Sequence, residues 1–132
     1  MDGINFRSEL EVSTYRKLKA AGIEFEYEER TYELIPATVP DHFSWEFKYD
    51  RFSAKKTKLL PTKYTPDFTC PKGTWVIECK GFANQVFPLK WKLFRQNISL
   101  GKYPDLKQPI LFLPHTTKDV DITISIILAA MT

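Results

Sequence analysis

The sequence is poor in the residues that build covalent or soft-metal frameworks: it holds two cysteines and two histidines. Two cysteines leave no room for a disulfide-dense scaffold. His42 and His115 stand alone, fit no metal-ligand spacing, and are expected to carry no role. Long apolar runs are missing too. The longest, Ile122 to Met131, is broken by Thr123 and Ser125 and is too short to span a bilayer. The first residues are polar and charged, without a leader-like pattern. No internal repeat or low-complexity segment appears. The expectation is a soluble protein of a reducing cytoplasm (a host cell's, if phage-encoded), with no membrane partner.

With 132 residues the chain suits one domain over 1–132 and is short for two cores. Hydrophobic residues make up 43% and aromatic ones 14%, which argues against disorder. The net charge of +3 decides little, but its distribution says more. Residues 24–33 carry Glu24, Glu26, Glu28, Glu29 and Glu33 against Arg30 alone. Residues 48–63 carry Lys48, Arg51, Lys55, Lys56, Lys58 and Lys63 against Asp50 alone. A basic stretch of this kind can meet a polyanion, although by itself it reads equally as a solvated loop.

Leu10, Thr14, Leu18 and Ala21 recur at helical spacing, so residues 5–21 are expected to be a helix ended by Gly22. Residues 23–34 alternate Ile23, Phe25 and Tyr27 with glutamates, as a half-buried strand would. Residues 43–50 also alternate, and a lysine-rich loop is expected after them. Strands are expected at 64–70, 74–80 and 109–114, and a helix at 86–98 with Leu89, Leu93 and Gln96 or Asn97 on one face. Residues 119–131 fit a strand by Ile122, Ile124 and Ile126, or a helix by Leu128 to Met131. The order predicts a mixed α/β domain, a small central sheet flanked by helices. Trp45, Phe47, Trp75 and Trp91 are expected in the core.

The chemistry gathers in one hairpin. Cys70-Pro71-Lys72-Gly73-Thr74 is a tight-turn sequence. Centring the turn on Lys72 and Gly73 sets Phe68 opposite Ile77, Thr69 opposite Val76 and Asp67 opposite Glu78. One face then carries Phe68, Cys70, Trp75, Ile77 and Cys79. The other carries Asp67, Thr69, Val76, Glu78 and Lys80. Cys70 and Cys79 lie roughly 13 Å apart along this ladder, too far for a disulfide. They are expected to be free, buried thiols. Two opposed carboxylates form a hard oxygen site for a divalent cation, and the Cys79 carbonyl can complete it. Lys80, on the same side, can position or deprotonate a water or stabilise charge on phosphorus. The plain alternative is a cross-strand ion cluster. Directly opposed carboxylates, which a purely structural sheet avoids, weigh against it.

Pro66-Asp67 followed by Glu78-Cys79-Lys80 resembles the signature of PD-(D/E)xK nucleases. With Phe6-Arg7-Ser8-Glu9-Leu10-Glu11, Gly22 to Glu29 and Tyr64-Thr65-Pro66-Asp67-Phe68, the chain is similar to the phage endonuclease I family of Holliday-junction resolvases over roughly residues 6–34 and 62–113. The resemblance implies a restriction-endonuclease-like core and Mg²⁺-dependent hydrolysis of DNA phosphodiesters, with Mn²⁺ able to substitute. It implies Glu11, Asp67, Glu78 and Lys80 as catalytic residues, with Glu11, Asp67, Glu78 and the Cys79 carbonyl at the metal. Glu9 is the rival of Glu11, about 200° around the helix; the motif position favours Glu11. Branched DNA is the implied substrate. Two features differ from that family. Residues 35–61 form a longer, basic insertion in place of its exchanged bridging strand, and its basic C-terminal tail is absent. Monomer and homodimer both stay open.

The cations expected on the DNA are Arg7, Lys55, Lys56, Lys58, Lys63, Lys90, Lys92 and Arg95, with a solvated helix face as the alternative for the last three. A non-catalytic DNA-binding module, or a phage interaction protein retaining the fold, is the alternative to an endodeoxyribonuclease.

Overall fold

A computed structural model of the chain describes residues 2–79 and 85–131. Among these the elements run α1 (Glu9–Ala20), β1 (Glu26–Tyr27), β2 (Tyr32–Ile35), β3 (Ser44–Lys48), β4 (Arg51–Lys55), β5 (Thr62–Tyr64), β6 (Phe68–Thr69), β7 (Trp75–Ile77), α2 (Phe87–Ser99), β8 (Ile110–Phe112) and α3 (Thr117–Ala130). A four-stranded sheet is ordered β1-β6-β7-β8. Its first two pairings are antiparallel, and β8 lies parallel to β7. Two ribbons, β2–β5 and β3–β4, stand outside it. The protein is thus mixed α/β, with three helices and a small mixed sheet among the described residues. No described helix is long and apolar enough to cross a membrane.

The β6–β7 register is the expected one, Phe68 against Ile77 and Thr69 against Val76. What differs is the surroundings. Phe68, Cys70, Trp75 and Ile77 pack with Tyr15 and Leu18 of α1 and Val120, Ile124 and Ile127 of α3. The opposite face is covered as well. Val76 packs with Phe94 of the crossover helix α2 and with Tyr32, Leu34 and Tyr64 of the β2–β5 ribbon. The face that carries Asp67 and Thr69 is therefore buried, and an ion cluster on an exposed sheet does not describe it. Both cysteines are free, Cys70 buried and Cys79 half-buried.

Local chemistry explains the element ends. The Ser8 side chain accepts the Glu11 N–H, so α1 begins at Glu9 rather than at residue 5. Its buried stripe is Glu11, Thr14, Tyr15 and Leu18, so a carboxylate sits where the helical period places core. The strand expected over 23–34 is interrupted at Glu28, whose φ is +51°, and becomes β1 and β2. Residues 119–131 resolve as helix. Thr116 and Asp119 form a capping box, and Val120, Thr123, Ile124 and Ile127 turn inward at helical spacing. On α2 the buried residues are Phe94 and Asn97. Leu89, expected inside, is exposed. Asn97 belongs in the core because its amide donates to the Leu34 carbonyl and the Tyr103 hydroxyl.

The insertion is corrected most. Part of the expected lysine-rich loop is β4, paired along its length with β3. Trp45 and Phe47 are not core: they are 61% and 71% exposed. The reason is topological, because β3 and β4 pair with each other and join no larger sheet.

Candidate active site

Asp67 precedes β6 and Glu78 follows β7, where the two strands part. Each side chain there takes up the other strand's backbone. Asp67 Oδ2 accepts the Cys79 N–H at 2.8 Å, and Glu78 Oε1 accepts the Asp67 N–H at 3.3 Å. The Asp67 carbonyl accepts the Glu28 N–H at 2.9 Å, and the Glu78 N–H donates to Phe112 at 3.0 Å. This crossed pairing leaves the carboxylates side by side at the sheet end. Asp67 is 5% exposed, and Glu11, arriving from α1, is also 5% exposed.

Carboxylate oxygens of Glu11, Glu28 and Asp67 lie within 4.8 Å of one another. Three hard oxygen donors so arranged fit a divalent cation such as Mg²⁺. Glu78 lies beside them, turned to Tyr64. The Tyr64 hydroxyl donates to Glu78 Oε1 at 2.5 Å, and the Tyr27 hydroxyl donates to Glu11 Oε1 at 2.6 Å. Each outer carboxylate is thus held by a phenol through one oxygen. Arg7 is ion-paired with Glu28. The Cys79 thiol meets the Thr14 hydroxyl at 3.4 Å, on the α1 side.

Burial and mutual repulsion set the electrostatics. Burial first, and then the Glu78 charge, push the Asp67 carboxyl up to about 8. Burial also raises Glu78, against the Tyr64 hydrogen bond that favours its charged form. Between an unfolded value of about 4 and that raised value, the native state holds a proton that the unfolded chain has lost. Folding stability contributed by Asp67 therefore falls as pH rises through that window. Melting in chelator is expected to shift to lower temperature from pH 4 towards pH 8. A divalent cation held by the three carboxylates would reverse the shift most at the alkaline end. A profile that Asp67→Asn does not flatten would assign the slope to other groups.

Tyr64→Phe removes one hydroxyl and leaves Glu78 Oε1 with the Asp67 N–H as its remaining donor. The expected cost is about 1.5–3 kcal/mol, measured by denaturant unfolding.

Of the residues singled out by sequence, the structure brings together Glu11, Asp67, Glu78, Cys79 and Arg7. Lys80 lies outside the described residues. Glu9 is exposed, on another side of α1. Lys63 lies on β5 and Lys55 at the end of β4, with Lys56 and Lys58 on the connecting segment that leads to β5. Lys90, Lys92 and Arg95 ride on α2, across the sheet from the α1 layer. Sequence reasoning missed Glu28, Tyr27 and Tyr64. Glu28 was one of five similar glutamates, and its left-handed backbone has no sequence signature. The tyrosines carry a weak signal in their spacing from the acids, with Tyr64 three residues before Asp67.

No curated protein and no solved structure matches the chain. A family does match, over residues 1–114, a span that holds the whole acidic cluster and ends before α3. The chain belongs to that family, described as "Protein of unknown function (DUF1064)".

Proposed function

We propose that the protein is a divalent-metal-dependent endodeoxyribonuclease with a restriction-endonuclease-like, PD-(D/E)xK core. The observation that carries this reading is the convergence of buried Glu11 and Asp67 with half-buried Glu28, beside Glu78, at the point where two strands part. Acids crowded so that burial disfavours the charge of Asp67 and Glu78 are what a phosphodiester-cleaving site needs and a plain core avoids.

Asp67, Glu11 and Glu28 would hold the cation, with Glu78 and the Cys79 carbonyl next to them. When bound, Mg²⁺ or Mn²⁺ supplies positive charge to the phosphate and a more acidic water. The chain supplies the rest. The Asp67–Cys79 bond fixes one carboxylate, and the two tyrosines fix the orientation of Glu78 and Glu11. Lys80 is assigned the attacking water. Arg7 stands at the solvent side, where a phosphate would arrive. The resemblance favours branched DNA as substrate.

Four-way junction, flap, single-stranded and linear duplex DNA are to be incubated in parallel, with Mg²⁺ and with chelator. Cutting that requires the metal is expected, strongest on branched substrates. Salt-dependent DNA binding with no cutting of any of the four would leave a binding module instead.

A further inference from the structure

Residues 36–61 leave the core as a two-stranded arm. β2 and β5 pair at its base, Thr38 and Leu59 exchange backbone hydrogen bonds midway, and β3 and β4 pair at its tip. Tyr49 and Asp50 make the two-residue turn, with φ of +53° and +60°. The register sorts the tip. Trp45, Phe47 and Phe52 share one face, with Trp45 and Phe52 in ring contact at 5.4 Å, and Lys48, Arg51 and Lys55 alternate with them. All three rings are exposed. A lone two-stranded ribbon is marginal in water, and a bare aromatic face makes it more so.

We propose that this arm binds unpaired nucleotides, stacking bases on Trp45 and its neighbouring rings while the arm's cations meet the phosphates. The cations of β3 and β4 project from the ribbon's other face, so a strand stacked on the aromatic face would meet them over the ribbon's edge. The Lys48 and Lys55 ammonium groups both lie over the Tyr49 ring, and that of Lys56 lies over Phe43. A base stacked on Trp45 would leave its phosphate at the edge of the ribbon, towards these long cationic side chains. Charge complementarity selects this occupant over a second copy. Residues 41–58 carry five Lys and Arg against three Asp and Glu, so two arms face to face would repel. Position selects it too, because β5 ends at Tyr64, whose hydroxyl holds Glu78. A strand lying along the arm leads to the acidic cluster. The inference rests on the nuclease reading and deepens it: the substrate would carry unpaired bases next to the cut.

The test uses the full chain in chelator, with a fluorescein-labelled thymidine oligonucleotide and a blunt duplex of equal length as probes. Trp45→Ala is expected to weaken binding of the single strand about tenfold or more, and binding of the duplex far less. Trp45→Phe, which keeps a ring, should lose less than Trp45→Ala. The single strand should quench tryptophan emission of the wild type but not of Trp45→Phe, since Trp75 is buried and Trp91 half-buried. Equal losses on both probes, or none, would overturn the proposal. So would a wild-type oligomer in sedimentation that Trp45→Ala dissociates, which would assign the face to a second copy. Metal-dependent cutting is scored separately. Trp45-dependent binding without cutting defeats the nuclease reading and keeps the arm, whereas cutting with unaltered Trp45→Ala binding defeats only the arm.

Discussion

Asp67→Asn is expected to lower the proposed metal-dependent DNA cleavage at least about 10³-fold while leaving the protein as stable as before, or more so. The two halves of this expectation share one cause. Asp67 is buried beside Glu78, Glu11 and Glu28, and its charge is disfavoured there by burial and repulsion. The amide of Asn is neutral and of the same size. Its oxygen can still accept the Cys79 N–H that Asp67 accepts at 2.8 Å, and its NH₂ can donate to a neighbouring carboxylate. The fold thus loses a repulsion and keeps a hydrogen bond. The proposed cation site loses the charge of one of its three carboxylates. Activity and stability moving in opposite directions is the mark of a residue kept for chemistry. Cleavage assays and thermal melts in chelator at pH 8 check both halves. Cutting at the wild-type rate would remove Asp67 from the mechanism, and a lower melting temperature would refute the electrostatic account.

Gly73→Ala is expected to destabilise the fold by about 3–5 kcal/mol. Gly73 ends the β6–β7 turn with φ of +74°, its N–H donating to the Cys70 carbonyl at 2.8 Å. A Cβ there would stand 1.9 Å from the Asp105 carbonyl oxygen, and backbone cannot yield as a side-chain tip would. The Gly73 carbonyl also accepts the Lys107 N–H at 2.8 Å, so the turn is fastened to the segment before β8. Left-handed strain and a backbone collision therefore add. Denaturant unfolding gives the magnitude, and a loss under about 1 kcal/mol would mean that residues 103–107 can move aside.

The same turn shows what a sequence can reveal. Register follows from side-chain alternation and turn chemistry, both local, and so the opposition of Asp67 and Glu78 was readable from Phe68, Cys70, Trp75 and Ile77. Glu11 was readable only through its resemblance to a motif, because a carboxylate on a core stripe looks like an error in periodicity. Glu28 was not readable at all. Its place depends on a positive φ and on the Asp67 carbonyl that receives its N–H. Trp45 and Phe47 were misplaced for the opposite reason. Alternation reports that one strand face differs from the other, but not whether a layer covers it, and here none of the described elements does. α3 was settled by the Thr116–Asp119 cap rather than by its isoleucines, two of which, Ile122 and Ile126, point outward.

The packing of α1 against α3 has a consequence for assembly. Tyr15 and Leu18 of the first helix share their core with Val120, Ile124 and Ile127 of the last, and Lys17 reaches Asp121 across the same seam. On a ribosome, α1 emerges early, gains its β6 and β7 partners roughly fifty residues later, and waits roughly a hundred residues of synthesis, several seconds at least, for the helix that completes its seat. Glu11 rides on α1. The nascent chain therefore carries Glu11, Asp67 and Glu78 before the last layer that packs on α1 has been made.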